Sequence, residues 1–298
     1  MCGIVGLFLK DKTLEPQLGA YLSEMLITMT DRGPDSAGIA IYGGERDGLG
    51  KITVQSAAPD EDFATLEADL GEALAKSVQL TIKASHAVIS LPAECLDAAR
   101  VKLAELRPGV TVMGSGESVE IYKEVGLPKD VSERFEVAAM TGSHGIGHTR
   151  MATESAVTTY GAHPFSTGPD QCLVHNGSLS NHNNLRRELI RDGITFETEN
   201  DSEVAAAYLS NKLANGETLG EALESGLSDL DGFFTFVVGT KSGFGVLRDP
   251  IACKPAVMAE TEQYVAFGSE YRALVNLPGI ESARVWEPEP ATVYFWEH

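Results

Sequence analysis

The chain opens Met1-Cys2-Gly3-Ile4-Val5-Gly6, and the reading of its second residue decides the fold. With Met1 removed, Cys2 carries a thiol and a free α-amine on one residue. A thiolate is a nucleophile. An α-amine titrates at roughly 7.7 to 8.0, so an appreciable fraction of it is a free base near neutrality. Such an amine takes the thiol proton, through a water, as an adjacent base activates other weak nucleophiles. One residue then supplies both attack and proton transfer, and the small side chain after Met1 suits removal of the initiator. The competing reading is a buried structural cysteine at the start of a strand, since free cysteine is among the most buried residue types. The apolar, β-branched run Gly3 to Leu9 reads as a buried strand under either view.

Outward from this strand, Leu18, Leu22, Met25, Leu26 and Met29 recur at helical spacing and predict a helix over Leu14 to Thr30. It stops before the loop signature Arg32-Gly33-Pro34-Asp35, after which Gly38 to Tyr42 and Ile52 to Gln55 read as strands. Residues 45 to 143 are organised differently. Their pattern gives a helix around Leu66 to Leu74, a strand Gln79 to Ile89, and a helix Pro92 to Leu106 with its proline near the start. Strands Thr111 to Met113 and Val119 to Tyr122 follow, on either side of a turn at Gly114-Ser115-Gly116, and then a helix Asp130 to Met140. This succession predicts a small α+β unit inserted into the larger domain. Beyond it come strands at Gly145 to Thr149 and Gln171 to His175, and helices at Asn181 to Arg191, Ser202 to Leu213 and Leu219 to Gly226. Closely spaced strands follow at Phe233 to Gly239, Gly243 to Leu247, Ala256 to Ala259, Tyr264 to Phe267 and Ala291 to Trp296.

The chain has 298 residues, is 43% hydrophobic and carries a formal net charge of −20. That length supports one large domain or one domain with an insertion. So acidic a surface argues against a nucleic-acid partner and against charge-driven attachment to anionic membranes. The cysteines, Cys2, Cys95, Cys172 and Cys253, form no C-x-x-C pair, so metal-ligand spacing is absent and no metal is expected. Their wide scatter fits a reducing compartment. There is no apolar run of membrane-spanning length and no basic-then-apolar leader, so the expected location is the cytoplasm.

Short segments carry groups that a thiol nucleophile needs. They are Cys2-Gly3-Ile4, Arg32 to Gly38, Gly147 to Thr153, His175-Asn176-Gly177 and Asn200 to Glu203. An acyl-transfer site requires donors aimed at the developing oxyanion; the Asn176 amide and the Gly177 N–H qualify. Asn-Gly is equally the commonest hairpin turn. Arg150 can bind a carboxylate bidentately and Asp201 can hold an ammonium. The bland alternatives are a salt bridge for Arg150 and a helix cap for Asp201. His86 and His144 lack ligand partners at metal spacing and read as structural or exposed.

Together and in this order, the segments resemble the glutaminase domain of class II glutamine amidotransferases, which are N-terminal-nucleophile hydrolases. Arg248-Asp249-Pro250 and Phe267 to Leu274 add to the resemblance, which spans essentially the whole chain outside residues 45 to 143. The resemblance implies an α+β fold, a four-layer αββα sandwich over residues 2 to 298 interrupted by the 45 to 143 insertion. It implies Cys2 as nucleophile with its α-amine as base, and Asn176 and Gly177 as the oxyanion hole. Arg32 would support the site beside Cys2. Arg150 would take the α-carboxylate of L-glutamine, Asp201 its α-ammonium, and Thr153 would help bind it. No cofactor is implied. The sequence departs from the family where Trp is common at Met151 and His-Gly at Glu154-Ser155, while Ala162-His163-Pro164 is retained. Gly147 to Pro164 is most similar to stand-alone amidotransferase subunits of glutamate synthase-like and N-methylglutamate synthase-like complexes. That implies a separate synthase subunit, a flavin- and iron–sulfur-bearing protein by analogy, as the user of the ammonia. Rival readings are a catalytically weak glutamine-sensing regulatory subunit and an amide hydrolase of the same fold with another substrate. The intact Cys2, Asn176, Gly177 and Asp201 count against the first, and the Arg150–Asp201 pair favours an amino-acid substrate over a simple acyl amide.

Overall fold

A computed structural model describes residues 2–152 and 157–298. Two antiparallel sheets lie face to face. In the larger, the strand order is Arg284–Trp286, Val257–Glu260, Tyr264–Gly268, Gly3–Leu9, His144–Arg150, Ser36–Tyr42 and Val119–Val125. In the smaller it is Thr292–Glu297, Gly243–Arg248, Gly232–Gly239, Gln171–Leu179 and Phe165–Gly168. Side chains alternate across each strand, so one strand serves two cores. Ile4 and Phe8 meet Cys172, Val174, Val237, Phe244 and Val246 between the sheets. Val5, Leu7 and Leu9 face the other way, onto Leu18, Leu22, Met25 and Leu26 of the helix Leu18–Thr28. On the far side, Leu173, Phe234, Phe236 and Val238 pack against helices His182–Arg191, Asp201–Ala214 and Leu219–Asp229. The layers are therefore helix, sheet, sheet, helix. Burial of each large side chain in these cores contributes about 1.5 to 3 kcal/mol. Gly6 belongs to this packing: a β-carbon there would lie 2.6 Å from the Phe244 ring.

The central position of Gly3–Leu9 follows from its composition. It is buried along its whole length and pairs on both sides, with Gly3 opposite Thr149 and Val5 opposite Gly268. A strand of this kind needs no polar face.

A third sheet, ordered Gln79–Lys83, His86–Pro92, Leu49–Gln55 and Thr111–Gly116, has its own core. Ile52, Val54, Phe63, Leu66, Leu70, Ile89 and Leu103 fill it, the last from the helix Leu96–Leu106. Several boundaries differ from the sequence reading. The run Gln79 to Ile89 is two strands of a hairpin, with Ala84 at positive φ. Pro92 closes a strand rather than opening the helix. Gly114-Ser115-Gly116 lies within a strand, not a turn. Val119–Val125 pairs with Ser36–Tyr42 in the large sheet, and Pro128–Arg134 packs its Val131 into the helix-side core. The separately packed unit thus ends before Val119, because the residues after it complete the edge of the sandwich.

The unit is stitched to that edge. Asp170 accepts from the N–H groups of Glu117, Ser118 and Val119 at 2.7, 2.8 and 2.9 Å. Lys51 Nζ donates to Glu120 and to the Gly43 carbonyl at 2.8 and 2.7 Å.

Candidate active site

Cys2 stands at the open end of the central strand, half-buried, with a free thiol. Its carbonyl oxygen accepts from Arg32 Nε at 2.9 Å and from Asn176 Nδ2 at 3.2 Å. These bonds join residues from three distant segments at one point. Arg32 is buried and its Nη1 donates to Glu270 at 2.7 Å. Glu270 in turn accepts from Arg272 Nε at 2.8 Å. Next to it, Ser269 Oγ accepts from the Ile4 N–H and the Ser269 N–H donates to the Ile4 carbonyl, both at 2.9 Å. The segment after the strand Tyr264–Gly268 therefore clamps the first residues of the chain. Ser269 and Glu270 fall in the Phe267 to Leu274 segment, to which the sequence alone assigns no role. Their partners lie far away along the chain, and only the fold brings them together.

The loop carrying Arg32 is tied to the neighbouring strand. The Asp35 N–H donates to the Arg150 carbonyl at 3.1 Å, and Asp35 Oδ2 accepts from the Ala152 N–H at 2.8 Å. Gly33 is required by this approach, since a β-carbon there would lie 2.4 Å from the Thr149 carbonyl carbon. Arg150 ends the strand His144–Arg150, one residue past the partner of Gly3, and is buried. A β-carbon at Gly161 would lie 3.3 Å from Arg150 Nη1, so the loop bearing Gly161 covers the guanidinium. Thr153 and Glu154 lie outside the described residues.

Asn176 and Gly177 are not a hairpin turn. They lie inside the strand Gln171–Leu179, opposite Thr235 and Phe234. Gly177 has φ +153°, and a β-carbon would meet the Phe233 carbonyl at 2.0 Å. The glycine is thus demanded by conformation and by close approach together. On this same strand the Leu179 N–H donates to Asp201 Oδ2 at 2.9 Å. Asp201 is the first residue of its helix; the cap is Asn200, whose side chain accepts from the Ser202 N–H at 2.9 Å. The capping reading of Asp201 therefore passes to its neighbour, and Asp201 faces the strand instead.

Three buried histidines, unassigned by the sequence reading, underlie these groups. His148 Nε2 donates to the His175 carbonyl at 3.1 Å, and the His148 and His163 rings stack with centroids 4.1 Å apart. His175 Nδ1 lies 2.9 Å from Ser202 Oγ. Burial pushes His148 down to about 3 and His175 to about 4, and places His163 well below the usual range. Burial favours the neutral ring in all three, while Asp201, whose Oδ1 lies 3.7 Å from His175 Nδ1, works to raise His175. The signal in the sequence was their position inside the motifs. Their mutual contact was not visible there. His86 and His144 are fully buried and likewise held neutral by burial, as structural residues.

Arg248 and Asp249 support the far side. Arg248 Nη2 donates to the Ala252 carbonyl at 2.9 Å and pairs with Glu287 at 2.7 Å. The Asp249 N–H donates to the Phe234 carbonyl at 3.2 Å, directly behind Gly177. Among the described residues no cluster of His, Cys, Asp and Glu could hold a metal ion, and no helix is long and apolar enough to cross a membrane.

The chain is a four-layer αββα sandwich with a cysteine at the start of its central strand. A family model described as a glutamine amidotransferase domain matches residues 148–276. The chain is 74% identical over 298 residues to the "Glutamine amidotransferase-like protein GlxB" of Rhizobium meliloti (strain 1021), covering 100% of this chain and 99% of that one. It is 35% identical over 317 residues to a "Putative glutamine amidotransferase" of Methanothermobacter thermautotrophicus, covering 100% of both. Among solved structures, glutamine phosphoribosylpyrophosphate amidotransferase from B. subtilis shares the fold. Its TM-score is 0.63 at 20% identity, over 99% of this chain and 47% of that one. The chain belongs to the glutamine amidotransferase family, with the class II fold, and is an enzyme of that type.

Proposed function

We propose that the chain is a glutaminase subunit that hydrolyses L-glutamine to glutamate and ammonia and passes the ammonia to a separate synthase. The observation that supports this most strongly is the convergence of Arg32 and Asn176 on the carbonyl of Cys2. It brings the Asn176 side-chain amide to the backbone of the candidate nucleophile, with Gly177 next along the same strand. With Met1 removed, the α-amine takes the thiol proton and Sγ attacks the amide carbon of glutamine. The oxyanion accepts from Asn176 Nδ2 and the Gly177 N–H. Collapse breaks the C–N bond, and the ammonium of Cys2 returns its proton to the leaving nitrogen, which departs as ammonia. Water, deprotonated by the same amine, then attacks the γ-glutamyl thioester. Glutamate leaves and the thiol is restored. Arg150 binds the α-carboxylate, and Asp201 and Thr153 hold the amino-acid end. Arg32 fixes the backbone of the nucleophile.

Glutamate synthase-like and N-methylglutamate synthase-like partners fit this reading, with the flavin and iron–sulfur groups on the partner. The separately packed body that ends before Val119 supplies part of the docking surface. The test combines intact mass with labelling. The mature chain should begin at Cys2, and a glutamine analogue bearing a diazoketone in place of the amide should label Cys2 alone. Burial raises the Cys172 thiol to about 12, so that residue is a silent internal control. Full glutaminase activity with Met1 retained, or labelling at Cys95 or Cys253 with Cys2 untouched, overturns the mechanism.

A further inference from the structure

We propose that Lys123 is a positioning residue for the carboxylate end of the substrate, acting through Arg150. This rests on the reading of Arg150 given above. Lys123 lies on the edge strand Val119–Val125 and is buried. Its ammonium spends its three donors on backbone carbonyls of one short segment: Tyr160 at 3.3 Å, Ala162 at 2.9 Å and Pro164 at 3.1 Å. The Phe165 ring lies 4.7 Å from Nζ on a further side. Burial lowers this amine to about 8, while the Glu203 and Glu197 carboxylates work to raise it.

A buried ammonium is a costly way to fill space; a methionine would occupy a similar volume without desolvating a charge. What an apolar side chain cannot do is fasten alternate carbonyls of an irregular segment. Of the two intervening carbonyls, that of His163 lies close over the next strand. A β-carbon at Gly38 would lie 2.1 Å from it, so Gly38 leaves the space that the segment occupies. Lys123 and Gly38 are opposite one another in the sheet, and together they seat residues 160 to 164 from below.

The seated segment touches the candidate site twice. Gly161 lies against the Arg150 guanidinium. His163 stacks on His148, which donates to the carbonyl of His175, the residue before Asn176. The shorter route runs through Gly161. A segment released from Lys123 therefore loosens the wall that aims Arg150, while the clamp on Cys2 by Arg32, Ser269 and Glu270 stays in place.

Labelling of Cys2 by two electrophiles separates these effects. Iodoacetamide needs only the thiol; the diazoketone analogue of glutamine also needs its α-carboxylate held. In Lys123→Met, alkylation by iodoacetamide should proceed at the wild-type rate, and labelling by the analogue should slow by about tenfold or more, since a misplacement near 1 Å has costs of that order. KM for glutamine should rise with kcat largely kept. Gly38→Ala pushes the same segment from the neighbouring strand and should reproduce the pattern, which keeps the idea testable if Lys123→Met does not fold. Analogue labelling at the wild-type rate in either folded variant overturns the role of Lys123. Equal slowing with both reagents overturns it too, as the mark of general damage. Failure of the analogue to label the wild-type Cys2 would instead bring down the glutaminase reading itself.

Discussion

Gly177→Ala is the sharpest test of the strand that carries the proposed oxyanion donors. The added methyl would sit 2.0 Å from the Phe233 carbonyl oxygen, 2.6 Å from Phe234 Cα and 2.9 Å from His175 Nε2. Two of these neighbours are backbone in the adjoining strand and cannot swing aside. Ordinary contact near 3.3 Å requires that the strands part locally by about 1.3 Å. The φ of +153° adds strain for any residue with a β-carbon, of roughly 1 to 3 kcal/mol. Overpacking brings a similar amount. A loss of about 3 kcal/mol corresponds, at about 2 °C per kcal/mol for a chain of this size, to a fall in Tm of about 6 °C. The catalytic effect should be larger in proportion. A shift near 1 Å moves the Gly177 N–H away from the oxyanion, and loss of one such donor lowers kcat by roughly 10² to 10³. Scanning calorimetry and a glutaminase assay on the same preparation measure both. A variant with wild-type kcat and a Tm within about 1 °C of wild type would refute the steric and the catalytic argument together.

Asn176→Ala should lower kcat by roughly 10² to 10³ with a smaller change in KM, because an oxyanion contact strengthens in the transition state; a large rise in KM at unchanged kcat would move Asn176 to ground-state binding. Arg150→Lys should damage glutamine selection, since an ammonium cannot reproduce the planar fork, and unchanged discrimination against analogues lacking the α-carboxylate would remove Arg150 from the site. For pH, burial holds His144 and His148 at about 3 and His86 and His175 at about 4 in the folded chain, below an unfolded value near 6.5. The unfolded chain then binds more protons as pH falls below 6.5, so stability is complete above that value and is lost as pH drops toward 4. Each histidine adds a slope of up to about 1.4 kcal/mol per pH unit in that window, and urea midpoints that stay level between pH 6.5 and 4.5 would contradict it.

Most elements were legible because alternating apolar residues and helical stripes are local signals, whereas the layer order was implied by the family resemblance alone. Gly3 to Leu9 reads as a buried strand from its own composition, and it is one. Asn176-Gly177 shows where such signals stop. The dipeptide favours a turn by propensity, yet it lies within a ladder, and the positive φ at Gly177 serves a close approach between strands. The edge strand Val119–Val125 looked like part of the insertion because it follows it directly. Its partner, Ser36–Tyr42, lies on the other side of the whole unit. The chemistry proposed for Cys2 rests on residue types in order and on the resemblance they carry. The clamp of Ser269 and Glu270, the histidine stack and the ammonium of Lys123 were not legible, since each is made by residues that only the fold brings together.

The strands Ser36–Tyr42 and Val119–Val125 are a β-hairpin whose turn has been replaced by a folded body. Tyr42 pairs with Val119, and the Gly43 N–H donates to the Ser118 carbonyl at 3.2 Å. A floppy connection of that length would cost the hairpin on the order of 4 kcal/mol in closure entropy. The packed interior around Ile52, Leu66, Leu70 and Leu103 removes most of that cost by holding the two ends at ladder spacing. The appended body thus acts as a rigid staple for the outermost strand of the sandwich. Mutations that melt its interior, far from Cys2, should fray that strand first, and with it the seat beneath residues 160 to 164. A clean excision follows from the same geometry: it must cut between Tyr42 and Val119 and rejoin them with a tight turn, leaving the outermost strand whole.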